Sequence, residues 1–181
     1  MRETPIRGAK TPILLLTLAA VVATDLASKR WALDALGNGQ PLELLGGFVP
    51  LTLAFNRGAA FSISVGDSSR WVFLALSVAA LAALLPLYRA TRPDDRGRLF
   101  SIALVLAGAL GNMIDRVRWD RGVVDFIGPI DLGFTKWPIF NVADMAITVG
   151  AVLLGLSLLR DRGAPSVAEA APVGPADEQA T

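Results

Sequence analysis

Residues 140–159 read "FNVADMAITVGAVLLGLSLL", twenty residues whose one charged side chain is Asp144. About 20 consecutive apolar residues is the length an α-helix needs to cross a bilayer. A carboxylate inside such a run is expensive in hydrocarbon, so Asp144 needs a partner or a function. Asn141 stands three residues before it and is a plausible helix cap. Pro138 suits a first helical turn. A helix starting near 139 would put Asp144 about 8 Å along its axis, five residues in at 1.5 Å each. Favourable placement beside the positive helix end explains an acidic first turn. It explains less well an Asp that follows several apolar residues.

Working outward from this run, three more apolar segments appear, at about 11–33, 71–88 and 99–116. Each is apolar around its whole circumference, which argues against core helices of a soluble domain. The chain has 181 residues, 53% of them hydrophobic and only 18% charged, a low charge content for a soluble domain. The first segment also has the build of a cleavable leader, but cleavage there would discard the Asp25–Lys29 pair, so it reads as a span. The expected fold is an all-α membrane protein with four transmembrane helices and a small extracytoplasmic β element. A single membrane domain covers 1–162, and the Ala-, Pro- and Gly-rich stretch 163–181 reads as a disordered cytoplasmic tail.

Nine of the 17 Lys and Arg residues lie in short flanks: the N-terminal tail, the 89–98 connection and the start of the C-terminal tail. Positive charge in short loops marks the cytoplasmic side, which places both termini there. The polar residues then converge. Asp25 and Lys29 close span one, Asn112, Asp115 and Arg116 close span three, and Asn141 and Asp144 open span four. With four alternating helices all three sets fall at the extracytoplasmic face. The long connections 34–70 and 117–138 emerge there too. In the first of these, Val49, Leu51, Leu53 and Phe55 alternate as in a strand. "NRG" (56–58) follows as a turn, and "AAFSI" (59–63) suits a returning strand.

There is no His and no Cys. That removes Ser–His–Asp and Cys–His catalysis, disulfides, and the commonest metal ligands. The net charge of +1 implies no large basic surface for nucleic acid. Acid–base chemistry must come from carboxylates, Lys, Tyr or water. Asp25 and Lys29 have the i,i+4 order that favours an ion pair. Asn112, Asp115 and Arg116 share a helix face, and the planar fork of Arg116 suits a carboxylate. Asp125 is bracketed by apolar residues in "GVVDFI" (122–127), unlike a solvated loop Asp. Asp120 and Asp131 sit in polar, turn-like settings and read as solvated.

Two carboxylates at a membrane boundary suggest an aspartic dyad, in which neighbouring groups share one proton because both cannot easily ionise. The competing reading is an ion or proton path, which would need polar residues through the membrane depth and at both faces. Span two has essentially none. A third reading, a scaffold protein, explains the spans but not the convergence.

At these residues the chain resembles the lipoprotein signal peptidases, signal peptidase II. The blocks are "DLASK" (25–29), "NRGAAFS" (56–62), "GALGNMIDR" (108–116), "GVVDF" (122–126) and "FNVAD" (140–144), in the family's order. The resemblance implies an aspartic endopeptidase of the bacterial cytoplasmic membrane. It would remove signal peptides from diacylglyceryl-modified prolipoproteins, cutting just before the lipidated Cys. Carried over by motif, the catalytic pair is Asp125 and Asp144. Asp25, Lys29, Asn56, Gly58, Asn112, Arg116 and Asn141 become substrate-binding or supporting residues, and Asp115 becomes structural. No cofactor or metal is implied. The implied partners are the lipidated precursor and membrane lipid, and the implied state is a monomer. Leu26 stands where family members commonly have Gln, and Ala107 where many have Gly. Gly108 and Gly111 suit a third helix packed closely on a neighbour. Asn56 with the turn after it is expected to hold the substrate backbone.

Overall fold

The computed structural model describes residues 10–58 and 69–163. The expected returning strand at 59–63 and the tail from 164 onward lie outside the described residues. Among the described residues, four helices are long and apolar enough to cross a membrane. They are α1 (Lys10–Ala35), α2 (Ser69–Ala90), α3 (Arg96–Arg118) and α4 (Val142–Gly163). The third extends through Arg116, as its length as a span required. Asp95 caps α3, its carboxylate accepting the Arg98 N–H at 3.0 Å.

α3 is the central helix and packs against α1, α2 and α4. Its glycines permit this. A side chain at Gly108 would place its Cβ 2.3 Å from the Ala143 carbonyl oxygen, and one at Gly111 would lie 2.7 Å from Asp25 Oδ2. Gly150 on α4 is the reciprocal case, since a Cβ there would lie 2.7 Å from the Ser101 carbonyl oxygen. Small residues let helix backbones approach where lipid supplies no hydrophobic drive. At one end of the bundle Tyr88, Leu99, Ile102, Ala103 and Leu106 form a buried cluster with Ile13, Leu14 and Leu154 around it. The Tyr88 hydroxyl donates to the Lys10 carbonyl at 2.7 Å, and Arg98 joins α3 to Ser157 and Asp161 of α4.

At the other end sits a small antiparallel sheet of β1 (Leu42–Leu44), β2 (Val49–Asn56) and β3 (Val123–Ile127), in that order. β2 is the strand expected from its alternation. Its described partners are β1, which precedes it, and β3 from the second long connection, where no strand was expected. Ala54 pairs with Asp125 and Asn56 with Val123. The run 123–126 is buried on both faces, so it lacks the alternation that marks a half-buried strand. Leu51 and Phe126 close over Ala32 of α1 and Leu36 just past its end, fastening sheet to bundle. A short hairpin, β4 (Ile130–Asp131) and β5 (Lys136–Trp137), leads toward α4.

α4 begins at Val142, three residues later than expected. Phe140 is held by the sheet: it donates to Ile127 O at 3.0 Å and accepts from the Phe126 and Ile127 N–H groups at 3.0 and 2.9 Å. Residues 138–140 therefore cannot be helical, and Pro138 precedes the helix instead of opening it. Asp144 lies in the first turn.

Candidate active site

The late start of α4 makes Asn141 its cap and Asp144 its third residue. The Asn141 side-chain oxygen accepts the Asp144 N–H at 2.9 Å, and Asp144 Oδ2 accepts the Asn141 N–H at 3.2 Å. This is a reciprocal capping box, with Asp in the place usually held by Glu. Asp144 thus has the favourable helix-end placement and keeps its other oxygen for a partner on α3. Asp144 Oδ1 accepts from Asn112 Nδ2 at 2.7 Å.

Asn141 also reaches the second carboxylate. Its Nδ2 donates to Asp125 Oδ1 at 2.6 Å and lies 3.0 Å from Asn112 Oδ1 and 3.3 Å from the Val124 carbonyl. The other Asp125 oxygen accepts from Asn56 Nδ2 at 3.0 Å, across the β2–β3 pair. One buried Asn residue therefore binds both aspartates, and flanking amides take an oxygen of each. Asp125 is 2% exposed. Burial pushes its carboxyl up to about 7, and the charge of Asp144 adds to the rise. Hydrogen bonds from Asn56 and Asn141 and the Lys29 ammonium pull the other way.

Behind the pair lies a buried charge cluster. Lys29 Nζ is 2.8 Å from Asp25 Oδ2, 2.9 Å from Asp115 Oδ2 and 3.1 Å from Asn112 Oδ1. The ammonium thus bridges two carboxylates and hydrogen-bonds the Asn112 amide oxygen. Each carboxylate also takes a backbone N–H. Asp25 Oδ1 accepts from Ala143 at 2.9 Å, and Asp115 Oδ2 from Val124 at 3.2 Å. Ala143 and Val124 are the residues just before Asp144 and Asp125. The cluster thus fixes the backbone next to each candidate aspartate. Asp115 belongs to it as a structural group.

Arg116 differs from expectation. It forms no ion pair among the described residues. Instead Nη2 donates to Gly58 O at 3.1 Å and Nη1 to Asn112 O at 3.4 Å, and the guanidinium lies 5.8 Å from the Phe73 ring. Its Nε is buried without a partner among the described residues. Gly58 is set by Asn56, whose side-chain oxygen accepts the Gly58 N–H at 2.9 Å. Asp120 and Asp131 are exposed, Asp120 pairing with Arg70.

Asp125, Asp144, Asn56, Gly58, Asn112 and Arg116 line a cavity of about 440 Å³. Asp25, Lys29 and Asn141 support it from behind. The rest of the lining is mostly apolar and includes Trp137, Ile139, Met145, Thr148 and Val149. None of these was singled out in the sequence. Met145, Thr148 and Val149 carry a signal in retrospect, lying within five residues after Asp144 on the same helix. The arrangement can do one kind of chemistry directly. Two carboxylates held by shared amides at an apolar cleft can pass protons to and from a water and an acyl group.

Comparison with known proteins agrees with this geometry. The family model for Signal peptidase (SPase) II matches residues 17–160. The lipoprotein signal peptidase of Moorella thermoacetica is 40% identical over 152 residues, covering 84% of this chain and 95% of the relative. That of Psychromonas ingrahamii is 38% identical over 149 residues, covering 80% and 84%. A bacterial membrane enzyme structure solved in meso at 2.3 Å superposes with a TM-score of 0.74 at 30% identity, covering 90% of this chain and 94% of that one. The chain belongs to the signal peptidase II family, and is a multi-pass bacterial membrane protein and an aspartic peptidase.

Proposed function

We propose that this protein removes signal peptides from diacylglyceryl-modified prolipoproteins, cutting the peptide bond before the lipidated Cys, with Asp125 and Asp144 as the catalytic pair. The observation that carries this is Asn141, which binds both carboxylates that line one cavity. At neutral pH the pair holds one proton. The ionised member takes a proton from water as the water oxygen attacks the scissile carbonyl. The neutral member gives its proton to the carbonyl oxygen. As the gem-diol collapses, the C–N bond breaks, the leaving nitrogen takes a proton from one carboxyl, and a diol hydroxyl gives its proton to the other as C=O re-forms, so the pair again holds one proton. Met145 and Val149 on the cavity wall are about half exposed, which supports sideways entry from lipid.

The site lies near the extracytoplasmic face in this reading, with both termini cytoplasmic and residues 1–162 as one peptidase domain. The working unit in this reading is a monomer. Among the described residues, Asn56 Nδ2 donates to Asp125 alone, and we assign its second hydrogen to the substrate backbone. The test is mass analysis of products from a synthetic lipidated prolipoprotein peptide and its unlipidated counterpart. Cleavage before the Cys of the lipidated peptide alone is the expected result. Cleavage elsewhere, or equal cleavage of both, would overturn the substrate assignment.

A further inference from the structure

Thr148 is one helical turn beyond Asp144 on α4 and lines the same cavity. Beyond Asp144, the other α4 residues described in that wall are Met145, Ile147 and Val149, so Thr148 supplies its one polar side chain. Hydroxyls in membrane helices commonly turn back onto the carbonyl one turn earlier. Thr24, Ser77, Thr91 and Ser101 all do so here, at 2.7–2.8 Å. Thr148 does not. Among the described residues its hydroxyl has no hydrogen-bond partner, and the residue is exposed. Thr11 and Thr17 on α1 also lack one among the described residues, but they lie away from the cavity.

A substrate has a matching need. A peptide bond can be attacked only where the chain is extended, so a membrane-embedded signal peptide must unwind near the cut. Unwinding in hydrocarbon frees backbone N–H and C=O groups, each costing several kcal/mol if left unpaired (order of magnitude). Thr148 lies about 6 Å deeper than Asp144, four residues at 1.5 Å. An extended chain covers that distance in about two residues at roughly 3.3 Å each.

We infer that the Thr148 hydroxyl is a substrate-binding group, pairing with the unwound signal-peptide backbone about two residues before the scissile bond. The inference rests on the proposed function, since it takes the substrate to be a membrane-embedded peptide cut at the Asp125–Asp144 pair. The chemistry of Thr suits this role. Its hydroxyl donates to a carbonyl or accepts from an N–H, so it recognises backbone and leaves side-chain choice open.

The experiment measures kcat and KM for wild type, Thr148→Val and Thr148→Ser on the lipidated peptide. It repeats wild type and Thr148→Val on a peptide with an ester replacing the amide two residues before the cut. Valine keeps the shape and removes the hydroxyl. We expect Thr148→Val to lose about tenfold in kcat/KM, the size of one hydrogen bond, with its unfolding temperature unchanged. Thr148→Ser should stay within twofold of wild type. The ester peptide should slow wild type and slow Thr148→Val no further. Wild-type activity in Thr148→Val, an equal loss in Thr148→Ser, or fully additive losses with the ester would each overturn the inference and leave the proposed function standing. Failure of well-folded wild type to cut any lipidated peptide would instead overturn the proposed function.

Discussion

Asp125 carries a consequence that can be measured without substrate. Its carboxyl titrates near 7 in the folded protein, against about 3.9 for an Asp in an unfolded chain. Between those values the folded state holds a proton that the unfolded state has released. Stability contributed by this residue is full below pH 4 and falls as pH rises toward 7, by at most roughly 4 kcal/mol at 1.36 kcal/mol per unit. The unfolding temperature in detergent should therefore drop from pH 4 to 7 less steeply in Asp125→Asn than in wild type. Equal slopes would mean that Asp125 is an ordinary carboxylate. Asp115→Asn tests the other side of the division. It weakens the Lys29 and Val124 contacts, so we expect about 1–3 kcal/mol less stability, with cleavage retained by the folded fraction. Wild-type stability with abolished cleavage would move Asp115 into the chemistry. Much at this scale was legible in the sequence. Asp125 stood out because an acid rarely sits between Val124 and Phe126 without cause. The partners were less legible. Lys29 at i,i+4 from Asp25 was readable, but its bond to Asp115, far along the chain on another helix, is a product of packing.

At the scale of elements, the junction of α3 and α4 positions the site. Gly108 faces the Ala143 carbonyl, next to Asp144. Gly108→Val would put its Cβ 2.3 Å from that oxygen and 2.8 Å from Ile147. Overpacking of this kind costs about 1–3 kcal/mol, and here it would also displace the start of α4. We expect lower thermal stability and at least tenfold lower kcat. Gly155→Ala is the control, since nothing lies within 4 Å of a Cβ there; it should be neutral or slightly stabilising. Equal effects at the two positions would contradict the close packing assigned to Gly108. The hydropathy pattern revealed all four helices, because a bilayer imposes length and apolarity together. It misjudged where α4 begins. Phe140 looks like a helical apolar residue, but its backbone completes the sheet, and no local signal announces that. β3 was missed for a related reason, being buried on both faces.

The candidate site gathers its buried polar groups at one end of an apolar bundle. In the orientation proposed above, with the short positively charged flanks cytoplasmic, that end lies outside the cytoplasm. Because the chain has no Cys, single cysteines report topology cleanly. Glu43→Cys on β1 should react with a membrane-impermeant maleimide in intact cells, and Asp94→Cys between α2 and α3 should not. The reverse pattern would invert the orientation and with it the route of substrate entry. The convergence of three helix ends was visible as spacing alone, and alternation of the helices turned that spacing into proximity.

The most direct measurement of the central claim is turnover of a lipidated prolipoprotein by purified wild type, Asp125→Asn and Asp144→Asn, with folding of each checked by thermal unfolding. Wild type should cleave before the lipidated Cys, and neither variant should cleave above background, all three being folded. Cleavage by either variant at more than about a hundredth of the wild-type rate, the small end of what one acid–base group contributes, would contradict the dyad.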